Sequence, residues 1–435
     1  MQSIYNNLLE WNDMAPEFPF IYYKKNYNLN HIIHEVHSLA SFLREVPSRY
    51  IGIFVDSPLD KILLYIASIK VNKIPVMYND SWSRIDIKRV TKKYNINHII
   101  SCWSKKNCMH CDATVYYFEE ILNSSRGCGI PTDLDEPMNF ESILFTSGTS
   151  GNPKAVCLTK ENFKMSSNAW HNELKFKNND NYILCLPPHH IAGLSIIYRA
   201  IYYRFKVHIL DSYRDINLIN NGTLISLVPS ILNRIIDKED YLQSLRSLRA
   251  IVLGGEPGDN ELLSKCLDLK LNIFISYGMT ETCSGISGFW LHEHPDKIQS
   301  AGKAFKGVDI SQNNGYIAIK SPMNMKQYFK ADACGSTIIT LDKGQLEDDF
   351  LYIYGRDESI ISGGENISLA KIKNILLKHS AVDDVYIKVY NSKEWGKAIE
   401  ANIILNQKIT EEDIKKWCSD RLPKYSIPKR IYFQL

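Results

Sequence analysis

The stretch from Thr146 to Lys154, "TSGTSGNPK", combines glycines, short hydroxyl side chains and one lysine directly after the apolar run "ILF". A strand that turns into such a segment presents backbone N–H groups and hydroxyls toward one point, which suits phosphate oxygens. It is not a P-loop, because no Ser or Thr follows Lys154 and the glycine spacing differs. A surface turn without a ligand would leave the glycines and hydroxyls unexplained together. The segment is therefore predicted to bind a phosphorylated ligand.

A second group of residues, within "CWSKKNCMHC", has side chains that could ligate zinc: Cys102, Cys108, His110 and Cys111. Structural zinc sites generally combine two pairs of ligands, and only one C-x-x-C pair occurs here. Reduced thiols are therefore favoured over a metal site.

Short β-rich runs alternate with helical patterns through most of the chain. The apolar spacing of "HIIHEVHSLASFLREV" predicts a helix, "YIGIFV" predicts a strand, and the pattern "PSILNRIIDKEDYLQSL" predicts a further helical segment. Strands such as "LRAIVLGG" and "LNIFISYG" continue the alternation. This order is typical of mostly parallel, doubly wound sheets with helices on both faces.

The pattern changes near residue 300, where "GVDISQNNGYIAIKS", "STIITLD" and "FLYIYGR" predict closely spaced strands. From Asp357 onward the pattern is α+β. The predicted fold class is α/β: a large N-terminal region of two doubly wound α/β subdomains plus a small β subdomain, followed by a small, shortened α+β C-terminal domain. The predicted domains are residues 1–355 and 356–435.

Composition narrows the class of partner. The chain has 435 residues and a net charge of only +3, which argues against a nucleic-acid-binding surface and favours small ligands. No apolar run reaches the roughly 18 residues of a membrane span, and "MQSIYNNLLEWNDMAPEF" lacks the order of a secretory signal. The ten scattered cysteines suit a reducing compartment, so a cytoplasmic location without membrane insertion is predicted.

Five further blocks accompany "TSGTSGNPK": "LPPHHIAGL" (186–194), "VLGGEP" (252–257), "YGMTET" (277–282), "TLDKG" (340–344) and "YGRDESIISGGENIS" (354–368). In this order they resemble the signature motifs of the adenylate-forming superfamily, which includes acyl-CoA synthetases, carrier-protein adenylation domains and luciferase. The resemblance covers essentially the whole chain. It implies that a carboxylate attacks the α-phosphate of ATP to form an acyl-adenylate, from which an acceptor then displaces AMP.

The resemblance also implies roles for individual residues, with ATP, Mg²⁺ and CoA as the cofactors. For the phosphates it implies Thr146, Ser147, Gly148, Thr149, Ser150, Gly151 and Lys154. For the rest of the nucleotide it implies Gly254, Gly255, Glu256, Tyr277, Gly278, Met279, Thr280, Asp342 and Arg356. Glu281 would be the magnesium ligand, His190 and Gly278 would line the acyl site, and Gly363 and Gly364 would contact CoA. Thr146, Lys154, His190 and Glu281 are the implied catalytic residues, with a packed core histidine and a helix-start carboxylate as alternative interpretations of His190 and Glu281.

Within the superfamily, blocks such as "HHIAGLSIIYRAI" and "KYSIPKRIYF" are most similar to the o-succinylbenzoate–CoA ligase subfamily, which acts in menaquinone biosynthesis. Arg199 lies inside the apolar "LSIIYRAI", where an arginine either extends to solvent or pairs with an anion. A dicarboxylic acid would offer a second carboxylate to Arg199. The predicted function is therefore an AMP-forming acid–thiol ligase with a small carboxylic acid, ATP and CoA as partners.

Two alternatives remain open at this stage. One is an adenylating enzyme that loads its acid onto a carrier protein or an amine, and the other is a relative that holds the nucleotide or acyl-adenylate without turning it over. Homodimer formation is also open.

Two departures from the superfamily pattern affect the C-terminal part. The usual Gly-Lys signature is absent from the given sequence, which ends "LPKYSIPKRIYFQL", and neither Lys424 nor Lys429 occupies its place. This predicts an impaired adenylation step, with a trimmed chain, a natural short form or lost ligase activity as the explanations. The hinge after Arg356 is one residue shorter than is usual, which predicts restricted rotation of the C-terminal domain.

Overall fold

The computed structural model describes residues 2–80, 82, 84–102, 113–123, 140–146, 153–218, 221–256, 258, 260–356, 359–362, 365–392, 396–422 and 426–434. Internal contacts divide the chain into two compact units. The first unit comprises Met1–Ser311, Ala318–Ile338 and Leu346–Tyr352, and the second comprises Gln312–Ile317, Ile339–Gln345 and Ile353–Leu435. The predicted domain boundary after residue 355 stays a prediction.

Helices occur throughout both units. Their bounds are α1 Ile4–Met14, α2 Leu29–Glu45, α3 Pro58–Lys70, α4 Arg84–Tyr94, α5 Phe118–Asn123, α6 Lys160–Leu174, α7 Ile191–Tyr203, α8 Pro229–Ile235, α9 Glu239–Ser247, α10 Asn260–Asp268, α11 Leu369–Leu377 and α12 Glu411–Ser419. Single turns of 3₁₀ helix include Thr280–Thr282.

The strands of the first half are β1 Ile21–Tyr23, β2 Lys25–Tyr27, β3 Tyr50–Phe54, β4 Ile74–Met77, β5 His98–Ser101, β6 Thr114–Tyr117, β7 Ser142–Phe145, β8 Ala155–Leu158, β9 Asn181–Leu184, β10 Lys206–Ile209, β11 Leu224–Leu227 and β12 Ala250–Leu253. Those of the second half are β13 Ile273–Met279, β14 Ser284–Trp290, β15 Lys303–Ala304, β16 Asp309–Asn313, β17 Tyr316–Lys320, β18 Gln327–Tyr328, β19 Thr337–Glu347, β20 Phe350–Arg356, β21 Ser359–Ser362, β22 Glu365–Ser368, β23 Val382–Ser392, β24 Gly396–Leu405 and β25 Arg430–Gln434.

The strands of the first unit lie in two sheets, and Ile339–Gln345 of β19 in the larger sheet is assigned to the second unit. The smaller sheet has the order β18-β8-β7-β4-β3-β5-β6, and the strands from β7 to β6 along this order are parallel. The larger sheet has the order β16-β17-β19-β20-β15-β14-β13-β12-β11-β9-β10-β1-β2 and is parallel from β13 through β1. Parallel strands that alternate with helices confirm the predicted α/β class. The runs predicted to form closely spaced strands after residue 300 contain β16, β17, β19 and β20.

Apolar side chains from helices and strands form the cores of these layers. In the larger sheet, Ile225 of β11 and Ile251 of β12 are fully buried against side chains of α8, α9 and α10. In the smaller sheet, Val76 of β4 and Ile143 of β7 pack with residues of α4. One helical segment differs from its prediction, because "PSILNRIIDKEDYLQSL" forms α8 and α9 with a break between Ile235 and Glu239.

The second unit contains its own α+β core. β23 and β24 form a long antiparallel pair, β25 adds in parallel to β24, and β21 pairs with β22 and β24. Apolar residues of α11 and α12, such as Ile372 and Ile414, are fully buried in this core. In the part of the chain that the structure describes, no helix is both long and apolar enough to cross a membrane.

A buried carboxyl group anchors the N-terminal helix. Glu141 precedes β7 and is 3% exposed, and its Oε1 accepts a hydrogen bond of 3.0 Å from the backbone N–H of Ile4, at the start of α1. Its Oε2 atom is buried without a hydrogen-bond partner among the described residues. Burial raises the pKa of this carboxyl from 4.5 to about 7, while the bond from Ile4 opposes the rise.

The Glu141 site predicts a pH-dependent stability. Because the pKa in the folded protein lies above its ordinary value of 4.5, the stabilisation is complete below that pH and is lost as pH rises to about 7. The free energy of unfolding of the wild type should fall by up to about 3 kcal/mol over this window, and Glu141→Gln should flatten that part of the profile. Urea unfolding at a series of pH values measures this effect, with Glu293→Gln at an exposed position as the control. Parallel profiles for the wild type and Glu141→Gln would contradict the assignment.

Candidate active site

The β7–β8 hairpin supports the predicted phosphate-binding segment. All four residues of each strand are buried, and the strands are antiparallel from Ser142↔Leu158 to Phe145↔Ala155. The backbone N–H of Thr146 donates to the carbonyl oxygen of Lys154 at 3.0 Å, which extends the ladder by one step. Ser147, Gly148, Thr149, Ser150 and Gly151 lie outside the described residues. The ends of the segment are thus fixed by the core.

Lys154 and Glu281 were predicted from separate motifs, and both contact the side chain of Tyr328. The Lys154 ammonium lies 5.1 Å from the ring centroid of Tyr328, and Tyr328 Oη donates to Glu281 Oε1 at 2.9 Å. Tyr328 lies on β18, which pairs with β8 so that Tyr328 is opposite Val156. Tyr328 was not predicted from the sequence, because nothing in "NMKQYFK" distinguishes it from a surface tyrosine.

The backbone around Glu281 is held by a network of short hydrogen bonds. Met279 N donates to Thr282 Oγ1 at 3.0 Å, and the carbonyl oxygen of Glu281 accepts from Met325 N at 2.7 Å. Cys283 and Ser284 then adopt left-handed φ values of 52° and 95°, which redirect the chain into β14. The carboxylate of Glu281 is therefore presented from a fixed turn.

Glu281 fits a magnesium site of limited protein ligation. Mg²⁺ is usually held by one or two carboxylates together with substrate phosphates and water. No cluster of three or more His, Cys, Asp or Glu side chains that could hold a metal is found among the described residues. A single carboxylate near the segment predicted to bind phosphate agrees with that mode of binding. Among the zinc candidates, burial raises the pKa of the Cys102 thiol to about 12, and Cys108, His110 and Cys111 lie outside the described residues, so the preference for reduced thiols stays a prediction.

The predicted nucleotide segments lie at the carboxyl ends of adjacent parallel strands. β12 ends at Leu253, which is opposite Ile275 of β13, so Gly254 and Tyr277 follow at the same sheet edge. A Cβ atom on Gly254 would lie 2.7 Å from the carbonyl oxygen of Ser276, and Gly255 has a φ of 83°. Open α/β sheets bind ligands beyond the carboxyl ends of their strands. Glu256, also predicted here, instead accepts a bond of 3.2 Å from Ser230 N.

Gly278 is required by a close approach of two strands. A Cβ atom there would lie 2.1 Å from the carbonyl oxygen of Ser284, where the β13–β14 register shifts. Met279 ends β13 and Thr280 begins the turn that carries Glu281. The block "YGMTET" thus forms one rigid strand-to-turn segment.

Four predicted residues belong to the second unit or lie outside the description. Asp342 is 6% exposed on β19, and its N–H donates to Thr340 Oγ1 at 3.0 Å. Arg356 ends β20, and its side chain is not described. Gly363 and Gly364 lie outside the described residues. Their predicted approach to the nucleotide and CoA stays a prediction.

His190 begins helix α7 beside a second histidine. Its N–H donates to the carbonyl oxygen of Pro187 at 3.0 Å, and the His189 and His190 rings lie 4.2 Å apart. Burial lowers the pKa of His190 to about 4, so the imidazole is neutral near pH 7. A Cβ atom on Gly193 would lie 2.5 Å from the Pro187 carbonyl oxygen, which explains the glycine in "HIAGL".

A buried network of charged and titratable side chains lies next to His190. It was not predicted from the sequence. Lys61 on α3 is fully buried and forms an ion pair with Asp80, while His189 Nδ1 lies 3.1 Å from Asp80 Oδ2 and 3.4 Å from Lys61 Nζ. Burial lowers the pKa of Lys61 and of His189. Burial alone would raise the pKa of Asp80, but the bond with His189 and the charge of Lys61 lower it. Lys61 and Asp80 therefore fix the position of His189 next to His190.

Arg199 is a buried cation without a protein carboxylate beside it in the described chain. It is 1% exposed, one guanidinium nitrogen donates to Ser284 Oγ at 2.9 Å, and Cζ lies 4.3 Å from the Trp170 ring centroid. Its Nε atom is buried without a partner. Burial lowers the pKa of Arg199 to about 10, which leaves it charged at neutral pH. Ser284 connects this cation to the strand that follows the Glu281 turn.

Several known proteins are similar to this chain in sequence and in fold. Residues 9–329 match the family described as AMP-binding enzyme, and residues 371–434 match the AMP-binding enzyme C-terminal domain. A 2-succinylbenzoate--CoA ligase of Bacillus licheniformis is 34% identical over 319 residues, 67% of this chain and 66% of that protein. The ligase of the same name from Bacillus cytotoxicus is 32% identical over 343 residues, 73% of this chain and 71% of that protein.

Two solved structures of the o-succinylbenzoate CoA synthetase of Bacillus subtilis are similar over nearly the whole chain. The complex with the acyl-adenylate intermediate OSB-AMP has a TM-score of 0.81 at 25% identity and covers 99% of this chain and 94% of that chain. The complex with ATP and magnesium ion has a TM-score of 0.80 at 26% identity, and the match covers 99% of this chain and 95% of that chain.

The buried Lys61–Asp80 pair predicts a strong energetic coupling. Lys61→Met should destabilise the protein by roughly 3 kcal/mol, because it leaves a partly buried carboxylate without its cation. Lys61→Met combined with Asp80→Asn should cost less than the sum of the single changes, since both charges are removed together. Urea unfolding of the four proteins measures the coupling. The exposed pair Lys265–Asp237 serves as the control and should show at most about 1 kcal/mol. Additive costs at Lys61 and Asp80 would contradict the network.

Proposed function

The chain belongs to the AMP-binding enzyme family, and on that premise we propose that it is an ATP-dependent ligase that joins 2-succinylbenzoate to CoA through an acyl-adenylate. The observation that carries the proposal is the convergence of Lys154 and Glu281 on Tyr328. This arrangement supports the proposal, because a cation and a carboxylate contact one tyrosine next to the strand that follows the proposed phosphate-binding segment. The relatives named 2-succinylbenzoate--CoA ligase support the choice of acid and acceptor.

The proposed reaction has two steps. A carboxylate oxygen of the acid attacks the α-phosphorus of ATP, and the bond to the bridging oxygen of the leaving pyrophosphate breaks. The sulfur of CoA then attacks the acyl carbonyl, the thiol proton is lost and AMP departs. Negative charge moves in both steps, so fixed hydrogen-bond donors and cations contribute most of the stabilisation of the two transition states.

The residues of the first unit would hold the nucleotide during both steps. Lys154 binds the β- and γ-phosphates together with Thr146, Ser147, Gly148, Thr149, Ser150 and Gly151. Gly254 and Gly255 let backbone approach the adenine, with Glu256 holding that turn through Ser230, and Tyr277, Gly278, Met279 and Thr280 line its other side. Glu281 holds Mg²⁺, which neutralises phosphate charge when bound.

The residues of the second unit complete the proposed assignments. Asp342 would accept the ribose hydroxyls, Arg356 would contact the phosphate side, and Gly363 with Gly364 would allow the pantetheine arm to pass close to backbone. We assign residues 1–355 to the adenylation core and residues 356–435 to the C-terminal domain. A free small-molecule acceptor is favoured, because the relatives named above are CoA ligases.

A cytoplasmic location is part of the same proposal. The described cysteines are all free thiols, which agrees with a reducing compartment. ATP and CoA are substrates available there.

Arg199 would determine the choice of a dicarboxylic acid. A fully buried guanidinium with an unpartnered Nε is costly unless an anion arrives. The second carboxylate of 2-succinylbenzoate supplies that anion, while neutral His190 donates or accepts a hydrogen bond near the reacting carboxyl. The planar guanidinium suits two-point carboxylate recognition.

The activity is tested by incubating the protein with ATP, Mg²⁺, 2-succinylbenzoate and CoA. AMP release should require both the acid and CoA, and Lys154→Ala should lower it at least about tenfold, because a charged phosphate contact is lost. Lys164→Ala, at an exposed position of α6, is the matched control and should act like the wild type. Pyrophosphate exchange without CoA-dependent AMP release would favour a carrier or amine acceptor. Nucleotide binding with neither reaction would favour a non-catalytic relative.

Acid selectivity is predicted to depend on Arg199. Arg199→Leu should weaken binding of a non-hydrolysable 2-succinylbenzoyl-adenylate analogue by roughly 10- to 100-fold, since a charge-assisted hydrogen bond is lost. The benzoyl-adenylate analogue lacks the second carboxylate and should change less than about threefold by the same argument. Calorimetric titration of both analogues gives the ratio, with Arg246→Leu on the exposed face of α9 as the control. Equal losses for the two analogues would refute the role of Arg199.

A further inference from the structure

We propose that Tyr328 is a positioning residue that holds the Glu281 carboxylate ready for the metal–nucleotide complex and keeps the Lys154 ammonium beside it but unpaired with it. The inference rests on the proposed function, because it presumes that Glu281 and Lys154 bind magnesium and phosphate. It adds a residue that none of the motifs in the sequence contains. Its support is the geometry of three side chains within the first unit.

The position of Tyr328 is set by backbone pairing with the hairpin strand that begins next to Lys154. Lys326 N donates to the carbonyl oxygen of Cys157 at 3.2 Å, and Phe329 N donates to that of Ala155 at 2.7 Å. Tyr328 lies between these two bonds, opposite Val156. Phe329 adds a side-chain anchor, because it is 9% exposed and its ring centroid lies 4.9 Å from that of Tyr50. The tyrosine is therefore carried by a fixed strand.

The hydroxyl of Tyr328 orients the metal-binding carboxylate. It donates to Glu281 Oε1 at 2.9 Å, so one oxygen of the carboxylate has a defined partner. The backbone of Glu281 is separately fixed by the 2.7 Å bond from Met325 N, two residues before β18. Main chain and side chain of Glu281 are thus both tied to the same short segment. This restriction lowers the rotational freedom that metal binding would otherwise have to remove.

The ring of Tyr328 has a second effect, on Lys154. The ammonium lies 5.1 Å from the ring centroid, within cation–π range, and no ion pair joins it to Glu281 in the described part of the chain. A direct ion pair would neutralise the two groups that magnesium and phosphate need. A cation–π contact at an exposed lysine is weaker than a phosphate contact, so the ammonium is free to move to the nucleotide.

Two substitutions separate these effects. Tyr328→Phe keeps the ring and removes the hydroxyl, so nucleotide affinity in the presence of Mg²⁺ should fall about tenfold while affinity without metal stays within about twofold of the wild type. Tyr328→Leu also removes the ring, so binding of metal-free ATP should weaken as well. In a Glu281→Ala background, Tyr328→Phe should not lower nucleotide affinity further, because the hydroxyl acts through that carboxylate.

The measurement is calorimetric titration of the full chain with ATP, with and without Mg²⁺, and with Mn²⁺ as a second metal. Tyr23→Phe is the matched control, since it removes a tyrosine-to-carboxylate bond of 2.6 Å to Asp211 at the sheet edge. Thermal unfolding of each variant reports any purely structural loss, and Tyr328→Phe should unfold within about 2 °C of the wild type if its effect is local.

The outcomes distinguish this inference from the proposed function. If the wild type binds Mg²⁺ and ATP but Tyr328→Phe behaves identically, or loses affinity equally with and without metal, Tyr328 does not position Glu281. If Tyr328→Phe still weakens metal-dependent binding in the Glu281→Ala background, the effect runs through another residue and the inference fails. If the wild type itself binds no Mg²⁺-dependent nucleotide, the proposed function falls first.

Discussion

The antiparallel ladder of β7, β8 and β18 is the constraint on which the candidate site depends. β7 and β8 are buried along their whole length, so the ends of the proposed phosphate-binding segment cannot shift without breaking core contacts. The same ladder brings in Tyr328, and Tyr328 contacts the turn that carries Glu281. Three segments far apart in the chain therefore share one rigid support. Electrostatic stabilisation of a transferring phosphoryl group depends on such prior fixation of donors and cations.

The site also shows two ways of keeping charge inside the protein. Lys61 is buried with Asp80 as its partner and with His189 beside the pair, so its charge is balanced internally. Arg199 is equally buried, but it donates to a serine hydroxyl and lies over a tryptophan ring, and no carboxylate lies beside it in the described chain. The ion pair of Lys61 stabilises the fold itself. The positive charge of Arg199 is not balanced by a carboxylate of the described chain, so it can pair with an anionic ligand. The contrast explains why a ligand role is assigned to Arg199 and a positioning role to Lys61.

Sequence patterns were sufficient for the elements and for the residues that act through local backbone. The alternation of strand and helix predicted the parallel sheets, and the segments at 254–256 and 277–281 lie at the same sheet edge because they follow adjacent parallel strands. The break between α8 and α9 was missed, since "PSILNRIIDKEDYLQSL" keeps apolar residues at helical spacing on both sides of it. Tyr328, Asp80 and Lys61 were missed for a different reason. Their roles come from long-range contacts that spacing along the chain does not encode, although a lysine within the apolar pattern of α3 was a signal that could have been noticed.

Gly278 limits how this active site could diverge in evolution. Even the smallest side chain there would overlap the carbonyl oxygen of Ser284, so that wall of the site has a fixed shape. Trp170 of α6 and Arg199 of α7 lie beside the neighbouring strand, since Arg199 donates to Ser284 of β14 and its guanidinium lies over the Trp170 ring. Under the proposed function, exchange of such helical side chains would change the choice of acid while the strand proposed to contact the nucleotide keeps its shape.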